Sequence, residues 1–370
     1  MVVSFLICCD PHLQKCRTEI KETCLLFLNL AYIATTYDIS NSVQDRTDWF
    51  YHRVQWSDMN NDGRIDALTA RSYLTDDGEA VAEMLWFEHP RFGNPLSRVW
   101  TPHVLFSGTD FFFRFEKMEI PGGRELEVII SAQYFAEKLV LSWVEDPSSS
   151  WSDPSKIKHR VIEEIVDERY FDIEVIRDSI FYNRNHNRHQ FFSSSIYITS
   201  SVAKRLLEKL LVDLNADGQL DLLVSVNSIM CLFFSRSDKN GKLVAYEIPQ
   251  DFRTGAWKRH VIAEGFIPSN IIITEGNGSP GIPRAFYPEP RGDRYKPMIL
   301  LTGDDDSNVY LFESTSDNNP SVWTYTMTSI FYAQGTIGGP VVKDIDGDGY
   351  AELFIPAYSE GTLNVYTFKP

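Results

Sequence analysis

Asp58-Met-Asn60-Asn-Asp62-Gly63-Arg64-Ile-Asp66, Asp213-Leu-Asn215-Ala-Asp217-Gly218-Gln219-Leu-Asp221 and Asp344-Ile-Asp346-Gly-Asp348-Gly349-Tyr350-Ala-Glu352 are three versions of one nonapeptide. Each carries an oxygen-bearing side chain at its first, third, fifth and ninth positions and a glycine at the sixth. A hard cation calls for that pattern, because calcium accepts six to eight oxygens at about 2.3–2.6 Å from carboxylates, amides, carbonyls and water. Alternate side chains of a tight loop converge on one point, and the glycine permits a positive φ. The seventh residue (Arg64, Gln219 or Tyr350) can then offer its backbone carbonyl. No cysteine or histidine stands in any of the loops, which argues against zinc or copper. The reading is three structural Ca2+ sites.

An EF-hand begins the same way but needs a bidentate Glu at the twelfth position, and Thr69, Val224 and Ile355 stand there. The closing carboxylate is therefore the ninth residue. The flanks, His52-Arg-Val-Gln-Trp56 before one loop and Asp221-Leu-Leu-Val-Ser-Val226 after another, are apolar and β-branched runs that read as strands. Each loop is thus a turn between two strands.

The loops belong to a longer repeat. After the first come Ile65–Arg71, Glu83–Glu88 and Trp100–Leu105; after the second come Leu222–Val226, Met230–Phe234 and Trp257–Ile262. Two copies have lost most of the acids and are expected to hold no ion. Glu119-Ile-Pro-Gly122-Gly123 leads to Val128–Ser131, Leu139–Trp143 and Lys158–Ile162. Glu289-Pro-Arg-Gly292-Asp293 leads to Met298–Thr302, Val309–Phe312 and Trp323–Met327. The unit is four short strands in the order first strand, loop, second, third, fourth. One such sheet is too small to bury both faces, and radial stacking of five gives an all-β protein, a β-propeller of four-stranded antiparallel blades. Six or seven blades are the alternatives. The last unit ends after its third strand, Leu363–Phe368, and Ala31–Ile39 has the alternation to supply a fourth. Tyr170–Val175 reads as a first strand whose loop begins only at Asp213, so residues 177–211 are expected to be an insertion.

At 370 residues the chain can bury one large core. Its formal charge of −16 disfavours a nucleic-acid groove, which needs a basic stripe, and much of the acidity is ligand charge on this reading. Cys8, Cys9, Cys16 and Cys24 leave only Cys231 in the body, so no disulfide framework supports the fold. Residues 1–30 read as a leader: Lys15, Arg17 and Lys21 precede Cys24–Ala34 as in a signal sequence, though the apolar run begins late and lacks a clean small-x-small site. That run is too short to span a bilayer well. Residues 31–370 form the propeller domain.

These residues resemble the FG-GAP/VCBS repeats of integrin α-subunit heads and of many extracellular proteins. The closest correspondence is Ile337-Gly-Gly-Pro-Val-Val-Lys-Asp344 through Asp348-Gly-Tyr-Ala-Glu-Leu-Phe-Ile355, and the resemblance covers residues 45–370. It implies calcium held structurally between the first two strands of a blade, and an extracellular, secreted protein. This chain departs from the family in its two altered loops and its insertion, and no stalk or membrane span is expected of it.

Propellers host lectins, receptors and enzymes alike, so the ligand must be sought in a site. The expectation is a noncatalytic binding module for a protein or glycan, without nucleic acid. The alternative is a carbohydrate-active enzyme, a lyase, dehydratase or glycosidase, although no Gly-x-Ser-x-Gly, phosphate loop or His-Glu-x-x-His occurs. His103, His159 and His260 recur at one place of the fourth strand, which favours packing. Asp304-Asp305-Asp306 reads as a solvated turn, and His186, His189, Arg291-Gly292-Asp293 and the sequon at Asn277 as surface features.

Overall fold

The structure, a computed structural model, describes residues 39–40, 49–77, 79–146, 150–165, 169–175, 213–229, 241–269, 278–289 and 295–370. The architecture is a five-bladed β-propeller built from successive antiparallel sheets. The first sheet is β1 (Phe50–Ser57), β2 (Asp66–Leu74), β3 (Ala80–Glu88) and β4 (Thr101–Gly108), and the second is β5 (Phe112–Ile120), β6 (Arg124–Gln133), β7 (Lys138–Val144) and β8 (Ile157–Glu164). The third contains β9 (Arg169–Val175), β10 (Asp221–Ile229), β11 (Gly241–Glu247) and β12 (Lys258–Phe266), extended by the short β13 (Gly278–Ser279). The fourth is β14 (Pro283–Phe286), β15 (Met298–Thr302), β16 (Asn308–Ser314) and β17 (Tyr325–Tyr332). The fifth has three described strands, β18 (Val341–Lys343), β19 (Glu352–Ala357) and β20 (Thr362–Thr367).

The chain divides into two compact units, Met1–Phe112 with Trp143–Lys158, and Phe113–Ser142 with His159–Pro370. In the first, Ala67, Leu85, Phe87 and Trp100 form a buried cluster to which Ile39 adds. In the second, alternation along β15 shows why a blade must be sandwiched. Ile299 and Leu301 join Leu223, Leu243 and Phe312 in one core, while Leu300, between them, joins Leu353 and Ile355 in another. Successive side chains of a strand point to opposite faces, so a sheet with both faces apolar needs a neighbour on each.

The expected strands are found with three corrections. The third strand of the third sheet is Gly241–Glu247, where Met230–Phe234 was expected; β10 runs on to Ile229, and residues 230–240 lie outside the described ones. The run Leu243–Tyr246 is buried throughout, and its register sets Glu247 opposite Asp221 at the loop end. The fourth strand of the fourth sheet begins at Tyr325, leaving Trp323 in the preceding connection with its ring on His260 of the third sheet. Asp304–Asp306, expected to be solvated, is a turn whose Asp305 and Asp306 are buried. Asp305 accepts from the Gly278 amide and the Thr336 hydroxyl, and Asp306 from Ser279, Tyr310 and the Asn308 amide, so these acids knit segments together.

β9 pairs with β10 from Leu222↔Val175 to Asn227↔Arg169, so the strands expected on either side of residues 177–211 are neighbours. The proposed leader, the 177–211 insertion, Cys231, His186, His189, Arg291–Asp293, Asn277 and all but Ile39 of Ala31–Ile39 lie outside the described residues. Among the described residues no helix is long and apolar enough to cross a membrane.

Candidate cation-binding loops

The acidic loops lie immediately before the second strands of the first, third and fifth sheets, β2, β10 and β19. Four hydrogen bonds recur in all three. The first carboxylate accepts the glycine amide at the sixth position: Asp58 from Gly63 at 2.7 Å, Asp344 from Gly349 at 2.9 Å, and Asp213 from Gly218. The third side chain accepts the fifth amide, at 3.1 Å for Asn60, 2.9 Å for Asn215 and 3.2 Å for Asp346. The fifth carboxylate accepts the seventh amide, so Asp62, Asp217 and Asp348 hold Arg64, Gln219 and Tyr350 at 2.9, 2.7 and 2.9 Å. The ninth carboxylate accepts the second amide, with Asp66 on Met59, Asp221 on Leu214 and Glu352 on Ile345 at 2.9, 3.0 and 3.0 Å.

Backbone geometry repeats as closely. The sixth residue has φ of +84°, +88° and +93° at Gly63, Gly218 and Gly349. The fourth is also left-handed, at +60°, +62° and +76° for Asn61, Ala216 and Gly347, a requirement the sequence reading missed because three different residue types fill the position. Two left-handed residues fold the loop so that the acids gather; Asp344, Asp346 and Asp348 each bring an oxygen within 4.8 Å of the others.

The ninth residue differs from the other acids. Asp66 and Asp221 are essentially buried and Glu352 nearly so. Asp66 is bound twice over, its second oxygen accepting the His89 amide at 2.8 Å from the end of β3. It therefore braces the loop from beneath, and each carboxylate oxygen keeps a further lone pair for coordination. Gathering acids has an electrostatic cost. Burial, followed by the charges of Asp213 and Asp217, pushes Asp221 up to about 8, and burial raises Asp66 and Asp213 as well. In two loops a cationic side chain already faces the fifth acid: Arg64 pairs with Asp62, and Lys369 Nζ lies 2.9 Å from Asp348. In the third sheet's loop the seventh residue is the neutral Gln219.

The donor set fits a calcium ion: oxygens only, supplied by a loop that its own amides hold open. Asp58, Asn60, Asp62 and Asp66, with the carbonyl of Arg64, would hold one. Asp213, Asn215, Asp217, Asp221 and Gln219, and Asp344, Asp346, Asp348, Glu352 and Tyr350, would hold two more. In the second sheet the corresponding link is a hairpin turn, Pro121–Gly123, with φ of +100° and +75° at Gly122 and Gly123 and no acid in the turn itself. In the fourth sheet Lys296 is 4% exposed and donates to the carbonyls of Asn319, at 2.6 Å, and Val322. Burial lowers its pKa while Asp317 and Asp213 oppose the shift.

The recurrent histidines are held by ring and hydrogen-bond contacts. His103 stacks on Trp86 (4.2 Å, 16°) and pairs with Glu88 at 2.8 Å. His260 stacks on Trp323 (4.1 Å, 8°) and pairs with Glu247 at 2.7 Å, and His159 lies 2.9 Å from the Ser142 hydroxyl. His52, Ser72 and Asp110 come together without forming a relay, because the histidine and the serine both bond the same Asp110 oxygen, at 2.9 and 2.8 Å.

Together the fold and the loops define a class, a β-propeller with acidic turns between the first two strands of alternate blades. Compared with protein-family models and with curated protein sequences, the chain matches none.

Proposed function

We propose that the chain is a calcium-stabilised β-propeller that works outside the cell as a noncatalytic module binding a protein or a glycan. The observation that carries this reading is the recurrence, in three loops of different sequence, of one four-bond scaffold around an all-oxygen donor set. Calcium sites of extracellular modules bind at about 10⁻⁴ M, so millimolar calcium would contribute on the order of 1.4 kcal/mol per site, and cytosolic calcium almost nothing. The noncatalytic reading is supported by histidines committed to ring stacking and by the Asp110 cluster, whose geometry is wrong for nucleophile activation. Isothermal titration of the chelator-treated chain is expected to show calcium binding at about three sites, with magnesium much weaker; no calcium heat at millimolar concentration would overturn it.

One observation favours the enzymatic alternative. Asp304, Asp305 and Asp306 place three adjacent carboxyls in one turn, the residue type that acid–base sugar chemistry uses, and burial followed by the charges of Asp305 and Asp306 raises the pKa of Asp304. Turnover of any member of a polysaccharide panel, abolished by Asp304→Asn, would replace the noncatalytic reading.

A further inference from the structure

The second residue of the acidic nonapeptide joins the loop to the next sheet. In the third sheet's loop the Leu214 amide donates to Asp221 at 3.0 Å, while the Leu214 carbonyl accepts the Tyr325 hydroxyl at 3.0 Å. The Asn215 amide, on the same peptide plane as that carbonyl, donates to Asp213 at 3.2 Å. One peptide plane and its flanking amide thus connect the first and ninth carboxylates to a phenol on the fourth sheet. The first sheet's loop makes the same junction with backbone alone, the Trp151 amide donating to the Met59 carbonyl at 3.0 Å. The second side chain is accordingly buried in both, Met59 at 0% and Leu214 at 1% exposed, whereas Ile345 of the fifth sheet's loop is 62% exposed.

We propose that Tyr325 is a positioning residue of the calcium site formed by residues 213–221, fixing the peptide plane between Leu214 and Asn215 so that Asp213 and Asp221 are set before the ion arrives. This rests on the calcium reading above. Pre-set ligands spare the ion the cost of ordering them, so losing the phenol weakens calcium binding at this loop and no other. By linkage, calcium tightens the contact between residue 325 and the loop.

The test uses the full chain carrying Asp62→Ala and Asp348→Ala, in which the 213–221 loop is the remaining acidic loop, with and without Tyr325→Phe. One hydrogen bond of at most about 0.5–1.5 kcal/mol corresponds to a Kd for calcium raised by up to roughly 2- to 13-fold in the variant. Calcium should slow amide exchange in residues 315–325 of the Tyr325 protein and much less in the phenylalanine variant, and the variant's midpoint should fall more in calcium than in chelator. A merely structural tyrosine would lower the midpoint equally in calcium and in chelator and leave Kd unchanged, which overturns the proposal. Absence of calcium binding in the Tyr325 background itself would overturn the calcium reading along with it.

Discussion

Asp66 is wholly buried, yet its Oδ2 accepts the Met59 amide at 2.9 Å, so the last acid of the loop is tied to its second residue. Its other oxygen accepts the His89 amide at 2.8 Å, which anchors the loop to the end of β3. Removing a buried acceptor leaves its donors unpaired, so Asp66→Ala should cost about 2–3 kcal/mol even in chelator. Asp62→Ala, at the exposed fifth position, should cost little in chelator and show its effect only in calcium. Urea unfolding of both variants with and without calcium separates brace from ligand, and equal losses in chelator would contradict the division.

Ala216 holds φ of +62° where the first loop has Asn61 and the third Gly347. The left-handed conformation costs a non-glycine residue about 1–2 kcal/mol, partly offset because glycine loses more entropy on folding. Ala216→Gly should therefore stabilise the chain by about 0.5–1 kcal/mol. A denaturation midpoint that falls would show the strain to be absent.

Much of this was legible in the residues. The spacing of Asp58, Asp62 and Asp66 identified the turns, and the apolar runs after each turn identified the second strands. The third strand of the third sheet was not: Met230–Phe234 and Leu243–Tyr246 are equally apolar, and only the pairing of Asp221 with Glu247 distinguishes them. Lys296 was equally hidden, since a lone lysine reads as solvated until a fold encloses it. The roles of Met59 and Leu214 left no usable sign, because the second residue is apolar in all three loops and Ile345, the third of them, is exposed.

Burial lowers the pKa of His159 below its ordinary 6.5, so the folded protein holds the imidazole neutral beside Ser142. The unfolded chain takes up a proton first as the pH falls through 6.5, and it then binds more protons than the folded chain. This residue's contribution therefore lowers stability on acidification. Between pH 7.5 and 5.5 the wild type should lose more thermal stability than His159→Gln, whereas parallel losses would remove His159 from the acid response.

The ammonium of Lys296 satisfies the carbonyls of Asn319 and Val322 in the connection that precedes Tyr325. Lys296→Met retains the apolar stem and takes the ammonium from the Val322 carbonyl, while the Asn319 carbonyl keeps the Val322 amide at 3.1 Å, so the expected loss is about 1–3 kcal/mol. Exchange of amides 319–325 should accelerate locally, and a variant as stable and as protected as wild type would rule out this clamp.

The central claim is tested most directly by melting the full chain in millimolar calcium and in chelator, beside a variant carrying Asp62→Ala, Asp217→Ala and Asp348→Ala. Three sites at the affinity expected of such loops predict a midpoint about 5–10 °C higher in calcium for the wild type, and almost none of that increment in the variant. Superimposable wild-type curves in calcium and chelator would contradict the account.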